Sequence, residues 1–366
     1  RTKRSASVNK KNASATWLAG TALCAAITAP VAHAHEDDLD EVIVQAGRWQ
    51  NPTGVLPSAS EGIVGQEEIA ARPRLRTGDL LEVVLGLVVT QHSGTGKSKQ
   101  MFLRGFNLDH GTDFATWIDG MPVNNPTHGH GQGYTDINFI IPELVSTVEF
   151  RKGPYYAEVS DFSSAGAAYM STVSSLDEGM LKIGVGENGF GRIHAANSFE
   201  VGGGELLIVY DGAWVGVSEA LKRYSGLARY SQSTEDSEWN ITFMGYDASW
   251  DAADQVPQRG VDSGFVDILG TIDDTVGGES SRYSLSVSYH KDMAKGALDV
   301  RGYWISYDMD LYSNFTYFLE DPVNGDQFRQ VDDRNIFGGD VTWTFEPVGR
   351  HRQTVGAAVR LDDIGD

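Results

Sequence analysis

Cysteine is almost absent: Cys24 stands alone among 366 residues, which excludes a disulfide framework and any cysteine-based zinc site. Positive charge is scarce too. Twenty-nine basic residues face 50 acidic ones, for a formal charge of −21, so a general nucleic-acid binder is excluded. Beyond the N-terminus no run approaches the roughly 18–20 apolar residues of a membrane helix, so a membrane-embedded chain would have to cross as a barrel. Catalytic signatures are missing as well. There is no Gly-x-Ser-x-Gly, no His-Glu-x-x-His and no phosphate-binding loop, which argues against an enzyme and implies no cofactor. With 41% hydrophobic and 22% charged residues the chain is still composed to fold, and 42 glycines against 11 prolines lean towards turn-rich β-structure.

The first eleven residues carry five positive charges (Arg1, Lys3, Arg4, Lys10, Lys11) and no acid. An apolar stretch follows from Ala15 to Ala29, then Ala32-His33-Ala34. Basic region, short apolar region and small-x-small site predict a secretory signal peptide over residues 1–34, cut before His35. The alternative, a membrane anchor, is disfavoured because the run is short and Glu36-Asp37-Asp38 follows at once. Without the leader, 24 basic residues remain against 50 acidic ones.

Residues 35–55 read as an extended tail and residues 56–175 as a compact mixed α/β unit. Thr77-Gly78-Asp79 opens a short helix. Short strands are predicted near 88–91, 100–104, 114–118 and 147–151, and Pro142 begins a helical turn where its missing N–H costs nothing. From residue 176 onwards the texture becomes long period-two alternation, clearest where Tyr283, Leu285, Val287 and Tyr289 interleave with Ser284, Ser286, Ser288 and His290. About nine such segments fall near 178–186, 190–200, 204–213, 223–232, 236–248, 280–291, 296–311, 335–346 and 352–362, with short turns at one end and long connections at the other, the outer-membrane barrel pattern. A soluble β-sandwich also alternates. Strand length, polar opposite faces and aromatics near strand ends (Tyr224, Tyr230, Trp239, Trp250, Tyr283, Tyr289) favour the barrel. Asp251, Asp254, Asp262 and Asp267 form an acidic stretch that fits no EF-hand spacing and reads as a solvated loop.

Several short motifs in order carry a resemblance. Asp40-Glu41-Val42-Ile43-Val44-Gln45-Ala46 resembles a TonB box. Arg104-Gly105-Phe106 resembles the Arg-Gly-Phe after a plug strand, and Asp119-Gly120-Met121-Pro122 an Asp-Gly-x-Pro hairpin. Val148-Glu149-Phe150-Arg151-Lys152-Gly153-Pro154 resembles Ile-Glu-Val-x-Arg-Gly-Pro, with lysine where arginine is usual. Ser164-Ala165-Gly166-Ala167-Ala168 stands where a Gly-Gly step is expected. Together these motifs are similar to those of the TonB-dependent outer-membrane receptors. The resemblance implies a mixed α/β plug domain followed by antiparallel transmembrane β-barrel strands, about nine of an expected 22, so that the chain is expected to be the N-terminal part of a receptor. It implies as partners TonB with its inner-membrane energising complex, outer-membrane lipid, and a small ligand, most often a ferric siderophore or another metal chelate. Zinc, copper, cobalamin, haem and glycan ligands remain open, as does a barrel-anchored binding protein without transport. Residues 40–46 would add as a strand to TonB, and Arg104, Glu149 and Arg151 would pair plug to barrel or pair within the plug.

The most distinctive stretch is Asn125-Pro126-Thr127-His128-Gly129-His130-Gly131-Gln132-Gly133-Tyr134. His128 and His130 could offer two imidazoles to a transition metal, although flexible glycines also serve tight turns. His110 and Asp113 precede them closely, so His110, Asp113, His128, His130, Gln132 and Tyr134 are the ligand-contact candidates. Trp117 and Tyr134 are plausible aromatic contacts, or core.

Overall fold

The computed structural model describes residues 54–365 apart from 56–57, 74–75, 92–94, 160 and 217–218. The expected leader and the segment Asp40–Ala46 therefore lie outside the described residues.

The plug is built around a six-stranded sheet in the order β1-β2-β8-β9-β6-β7. Its strands are β1 (Gly54–Val55), β2 (Glu61–Gly65), β6 (Phe114–Ile118), β7 (Met121–Pro122), β8 (Val145–Lys152) and β9 (Gly166–Thr172). A second small sheet joins β3 (Leu87–Thr90), β4 (Gln100–Leu103) and β5 (Phe106–Asn107). Helix α1 (Gln66–Ala71) and 3₁₀ turns at Thr77–Val83 and Pro142–Leu144 complete the mixed architecture.

Local chemistry explains the turns. Asp119 (φ 48°) and Gly120 (φ 81°) occupy the left-handed region between β6 and β7, where a two-residue hairpin needs two positive φ values and Asp-Gly supplies them. The imperfect Gly-Gly step keeps the glycine that matters. Gly166 has φ 152°, and a Cβ there would lie 2.5 Å from the Arg151 carbonyl oxygen.

Nine antiparallel strands follow in sequence order: β10 (Met180–Val185), β11 (Gly191–Val201), β12 (Gly204–Trp214), β13 (Lys222–Ser233), β14 (Ser237–Asp251), β15 (Gly277–Met293), β16 (Gly296–Ser313), β17 (Phe328–Phe345) and β18 (Thr354–Gly365). They match the nine alternating segments, with the longest strands reaching further than the pattern indicated. Among the described residues β10 and β18 do not pair with each other, so the barrel is open.

Side chains alternate as the pleat requires. Ile241, Phe243, Leu285, Val287, Phe337 and Val341 stand exposed on the outer face. Leu207, Val209, Met244, Tyr246, Met309 and Ile336 turn inward and share one core with Leu80, Leu81, Phe114, Val148 and Phe150 of the plug. No helix among the described residues is long and apolar enough to cross a membrane.

Two expectations need correction. Trp250 is not an outward girdle residue. It falls on the inward register of β14, is buried, and covers the plug at Gly96, where a Cβ would meet the indole at 1.9 Å. Asp254 is no solvated loop residue either: it is buried, and its carboxylate accepts the Asn314 N–H at 2.8 Å, tying two long connections together.

Candidate functional site

The His-rich loop is held closed at its base. Asn125 N–H donates to the Tyr134 carbonyl at 2.9 Å, and the buried Asn124 amide donates to the carbonyls of Gly111, Phe114 and Gly133 at 3.0, 3.0 and 3.2 Å. Asn124 Oδ1 accepts the Thr116 N–H at 2.7 Å. One side chain thus satisfies backbone groups that burial would otherwise strand, and it fixes the loop to the end of β6. The His110 carbonyl accepts the Thr135 N–H at 2.7 Å, which brings the Leu108–Gly111 turn alongside.

Three histidines converge there. His110 and His130 face each other, with Nε2 atoms 3.1 Å apart and ring centroids 4.6 Å apart. His128 lies flat on Tyr134, centroids 3.9 Å apart and planes within 1°. Its Nδ1 accepts the His130 N–H at 3.1 Å, and its Nε2 points towards Asp332, 3.8 Å away. Burial pushes the His128 imidazole down to about 4, which the nearby Asp332 carboxylate opposes and Arg334 and His130 reinforce. His128 is therefore neutral near pH 7, and its approach to Asp332 is not an ion pair. Tyr134 is fully buried, and its hydroxyl accepts the Ser98 N–H at 2.8 Å.

The opposite wall comes from β17. Gln330 donates from Nε2 to the Gly129 carbonyl at 2.6 Å and presents Oε1 to His130 Nδ1 at 2.9 Å. Asp332 accepts the Gly129 N–H at 3.1 Å, and Arg334 donates to the Thr127 carbonyl. This cluster sits at the end of the sheet that carries the long connections 252–276 and 314–327.

The pairing of imidazoles differs from the sequence expectation. His128 and His130 do not share a ligand point, because the backbone turn spends His128 Nδ1 internally and the ring stacks on Tyr134. The partner of His130 is His110. Asp113 is elsewhere: at φ 62° it caps the turn before β6, bonded to the Ser164 hydroxyl and accepting the Ala165 N–H at 2.9 Å. Gln132 is exposed on the loop. Trp117 stacks on Tyr169 with centroids 4.7 Å apart, away from the cluster.

Arg104, Glu149 and Arg151 also differ from the plug-to-barrel expectation. Arg104 donates to the Ala59 carbonyl at 3.1 Å, and Arg151 pairs with Glu149 at 2.9 Å and with Glu158. All these partners belong to the plug, since β2, β8 and the turn after β8 bring them together. The ion pairs that cross to the strands are ones the sequence did not single out. Asp119 accepts Arg229 at 2.6 Å, while Arg229 also donates to the Val173 carbonyl at 2.7 Å. Glu143 takes a two-pronged contact from Arg192 at 2.7 and 2.9 Å, and Arg192 continues to Asp211 at 2.6 Å. Burial alone would raise the Glu143 carboxyl, but the Arg192 contacts hold it below the usual range. Glu143, His194 and Asp211 present donor atoms within 4.8 Å of one another, yet the Arg192 guanidinium already occupies the space between the two carboxylates. The advance signals were the aspartate of the Asp-Gly-x-Pro motif, read there only as a turn residue, a glutamate beside a helical-turn proline, and inward-register arginines.

Plug and strand order together define a fold class, a mixed α/β plug followed by antiparallel barrel strands, and comparison with known proteins agrees. Residues 57–167 match the family model described as the TonB-dependent Receptor Plug Domain, so this part of the chain is a plug domain of that type. The chain is similar to the vitamin B12 transporter BtuB of Vibrio vulnificus, 29% identical over 154 residues that make up 41% of this chain and 24% of the relative. In fold it is similar to the ferric enterobactin receptor PfeA of Pseudomonas aeruginosa (TM-score 0.61, 13% identity, 85% of this chain and 51% of that one). It is also similar to the copper transporter OprC (TM-score 0.63, 16% identity, 84% and 46%), and to the siderophore receptor PirA of Acinetobacter baumannii (TM-score 0.60, 14% identity, 84% and 48%). The chain thus spans about half the length of these solved structures.

Proposed function

We propose that this chain is the plug and first barrel portion of an outer-membrane transporter that takes up a scarce metal chelate, a ferric siderophore being the leading candidate, captured at the plug apex and moved when TonB pulls on residues 40–46. The observation that carries the ligand reading is the convergence of His110, His130 and Tyr134 with Gln330 of β17 at the long-connection end. Converging imidazoles, one of them partly exposed on the loop, suit a metal or its chelate. Relatives are named for a ferric chelate, for copper and for vitamin B12, so the metal itself is left to experiment. In this reading the tail 35–55 follows a cleaved leader and reaches TonB in the periplasm. Main-chain pairing transmits the pull to β1, which lies at the edge of the plug sheet where a strand can be withdrawn first.

The test uses cells lacking other uptake routes that carry either the intact receptor or a deletion of residues 40–46. Cell-associated iron, copper and zinc are measured by mass spectrometry in metal-limited medium. Accumulation of at least one metal should fall in the deletion strain to the level of cells without the receptor. Equal metal contents, with labelled cobalamin or oligosaccharide taken up instead, would overturn the ligand reading.

A further inference from the structure

Hydrogen-bond direction at the apex has a consequence for His110 and His130. His110 Nδ1 lies 3.0 Å from the Ser98 carbonyl oxygen, which can only accept, so that nitrogen carries the proton. Gln330 is oriented independently, because its Nε2 donates to the Gly129 carbonyl at 2.6 Å. Its Oε1 must therefore be the atom 2.9 Å from His130 Nδ1, and that nitrogen too carries a proton. A neutral imidazole has one N–H. Both Nε2 atoms then present lone pairs, and they present them to each other at 3.1 Å. Two lone pairs held at that distance repel unless something positive lies between them, either a proton shared with an imidazolium or a metal ion.

Three features favour the ion. Each imidazole is braced through its far nitrogen by a carbonyl-type oxygen, the arrangement that orients metal-binding histidines and raises their basicity. A separation of 3.1 Å is what two nitrogens about 2.0–2.1 Å from one ion would show at an N–ion–N angle of roughly 100°. The Asp109 carboxylate lies 3.7 Å from His110 Nε2 and is largely exposed, adding negative charge on the open side.

We infer that His110 and His130 bind a first-row divalent transition-metal ion directly through their Nε2 atoms, copper most tightly, with further coordination positions filled by water or by a chelator's own donors. Imidazole donors and the general order of divalent affinities set that preference. The inference rests on the proposed ligand reading and narrows it from any chelate to one whose metal is itself ligated by the plug. His128 takes no direct part; it positions the loop through the His130 N–H and its stack on Tyr134.

The experiment uses the intact receptor in detergent, stripped with a chelator, titrated with Cu(II) chloride and then Zn(II) chloride, and followed by calorimetry and by electron paramagnetic resonance of the copper form. One equivalent should bind, with hyperfine structure from two nitrogens. His110→Ala and His130→Ala should each lower affinity at least 100-fold. Gln330→Met, which removes only the brace, should lower it about 10–100-fold. His290→Ala, at the far end of β15 beside Asp299, should leave it unchanged. The spectrum of the unmutated protein keeps the test valid where an alanine variant fails to fold. Absence of copper or zinc binding, with metal-chelate uptake intact, would overturn the inference and assign the pair a shared proton. Loss of all metal-dependent uptake would instead strike the proposed function.

Discussion

Asp119→Asn is the sharpest probe of how the plug is fastened. Asp119 accepts the Thr172 N–H at 2.8 Å, the Thr172 hydroxyl at 2.7 Å and Arg229 at 2.6 Å. The Arg229 side chain is only 4% exposed. Asparagine tolerates the left-handed backbone at φ 48°, so the change removes charge and leaves the turn. What remains is a buried guanidinium with no counter-charge, a loss on the order of 3 kcal/mol. With a urea dependence of about 1.5 kcal/mol per molar, the plug should open about 2 M earlier, read by hydrogen exchange of residues 114–123 and 166–173 in the intact receptor. Arg229→Met leaves Asp119 bonded to Thr172 and leaves no unpaired cation. In that background Asp119→Asn should cost less than about 1 kcal/mol, a coupling of about 2 kcal/mol. A midpoint shift under about 0.5 M, or the same loss in both backgrounds, would refute the assignment of this pair as the plug's anchor.

Further outcomes follow from the same geometry. Gly111→Ala places a Cβ 2.1 Å from Thr135 Oγ1 at φ 126° and should cost several kcal/mol and expose residues 124–135 to exchange. Gly86→Ala, at φ 85° with nothing within 4 Å, should cost only about 1 kcal/mol. Glu143→Gln leaves Arg192 its Asp211 partner and should lower plug stability in urea by about 1–3 kcal/mol, less than Asp119→Asn. Burial lifts the Asp136 carboxyl from 3.8 to about 6, so the native state holds more protons than the unfolded one and stability falls as pH rises from about 4 to 6. Burial lowers Lys99 from 10.5 to about 8, so the unfolded state holds more protons and stability rises from about 8 to 10.5. Plug stability should therefore pass through a minimum between these windows, and Lys99→Met should reduce the rise on the alkaline side, leaving the smaller part that comes from Lys97 and Lys152, which burial also lowers.

Much of this molecule was legible in its sequence because the signals are local. Period-two alternation is a property of consecutive residues, so β10–β18 could be placed to within about three positions, except that β17 begins seven residues earlier than the alternation indicated. Asp119-Gly120 and Arg104-Gly105 mark turns through their own backbone preferences, and Pro142 marks its 3₁₀ turn the same way. The motif order sufficed to recognise the plug domain, and the His-Gly-His stretch marked its loop as unusual. The tertiary structure decided what depends on residues far apart in the chain. His130 meets His110 rather than His128 because a closed loop turns one ring onto Tyr134 and offers the other to the Leu108–Gly111 turn. Arg151 stays within the plug because Glu149 and Glu158 reach it first, while Arg192 and Arg229 cross from the strands to Glu143 and Asp119. Trp250 points inward because strand register, which no single strand specifies, puts it over Gly96. Alternation states that two faces differ; only the packed plug determines which charge on the inner face finds which partner, since those choices are made by desolvation and geometry between segments about 50 to 200 residues apart.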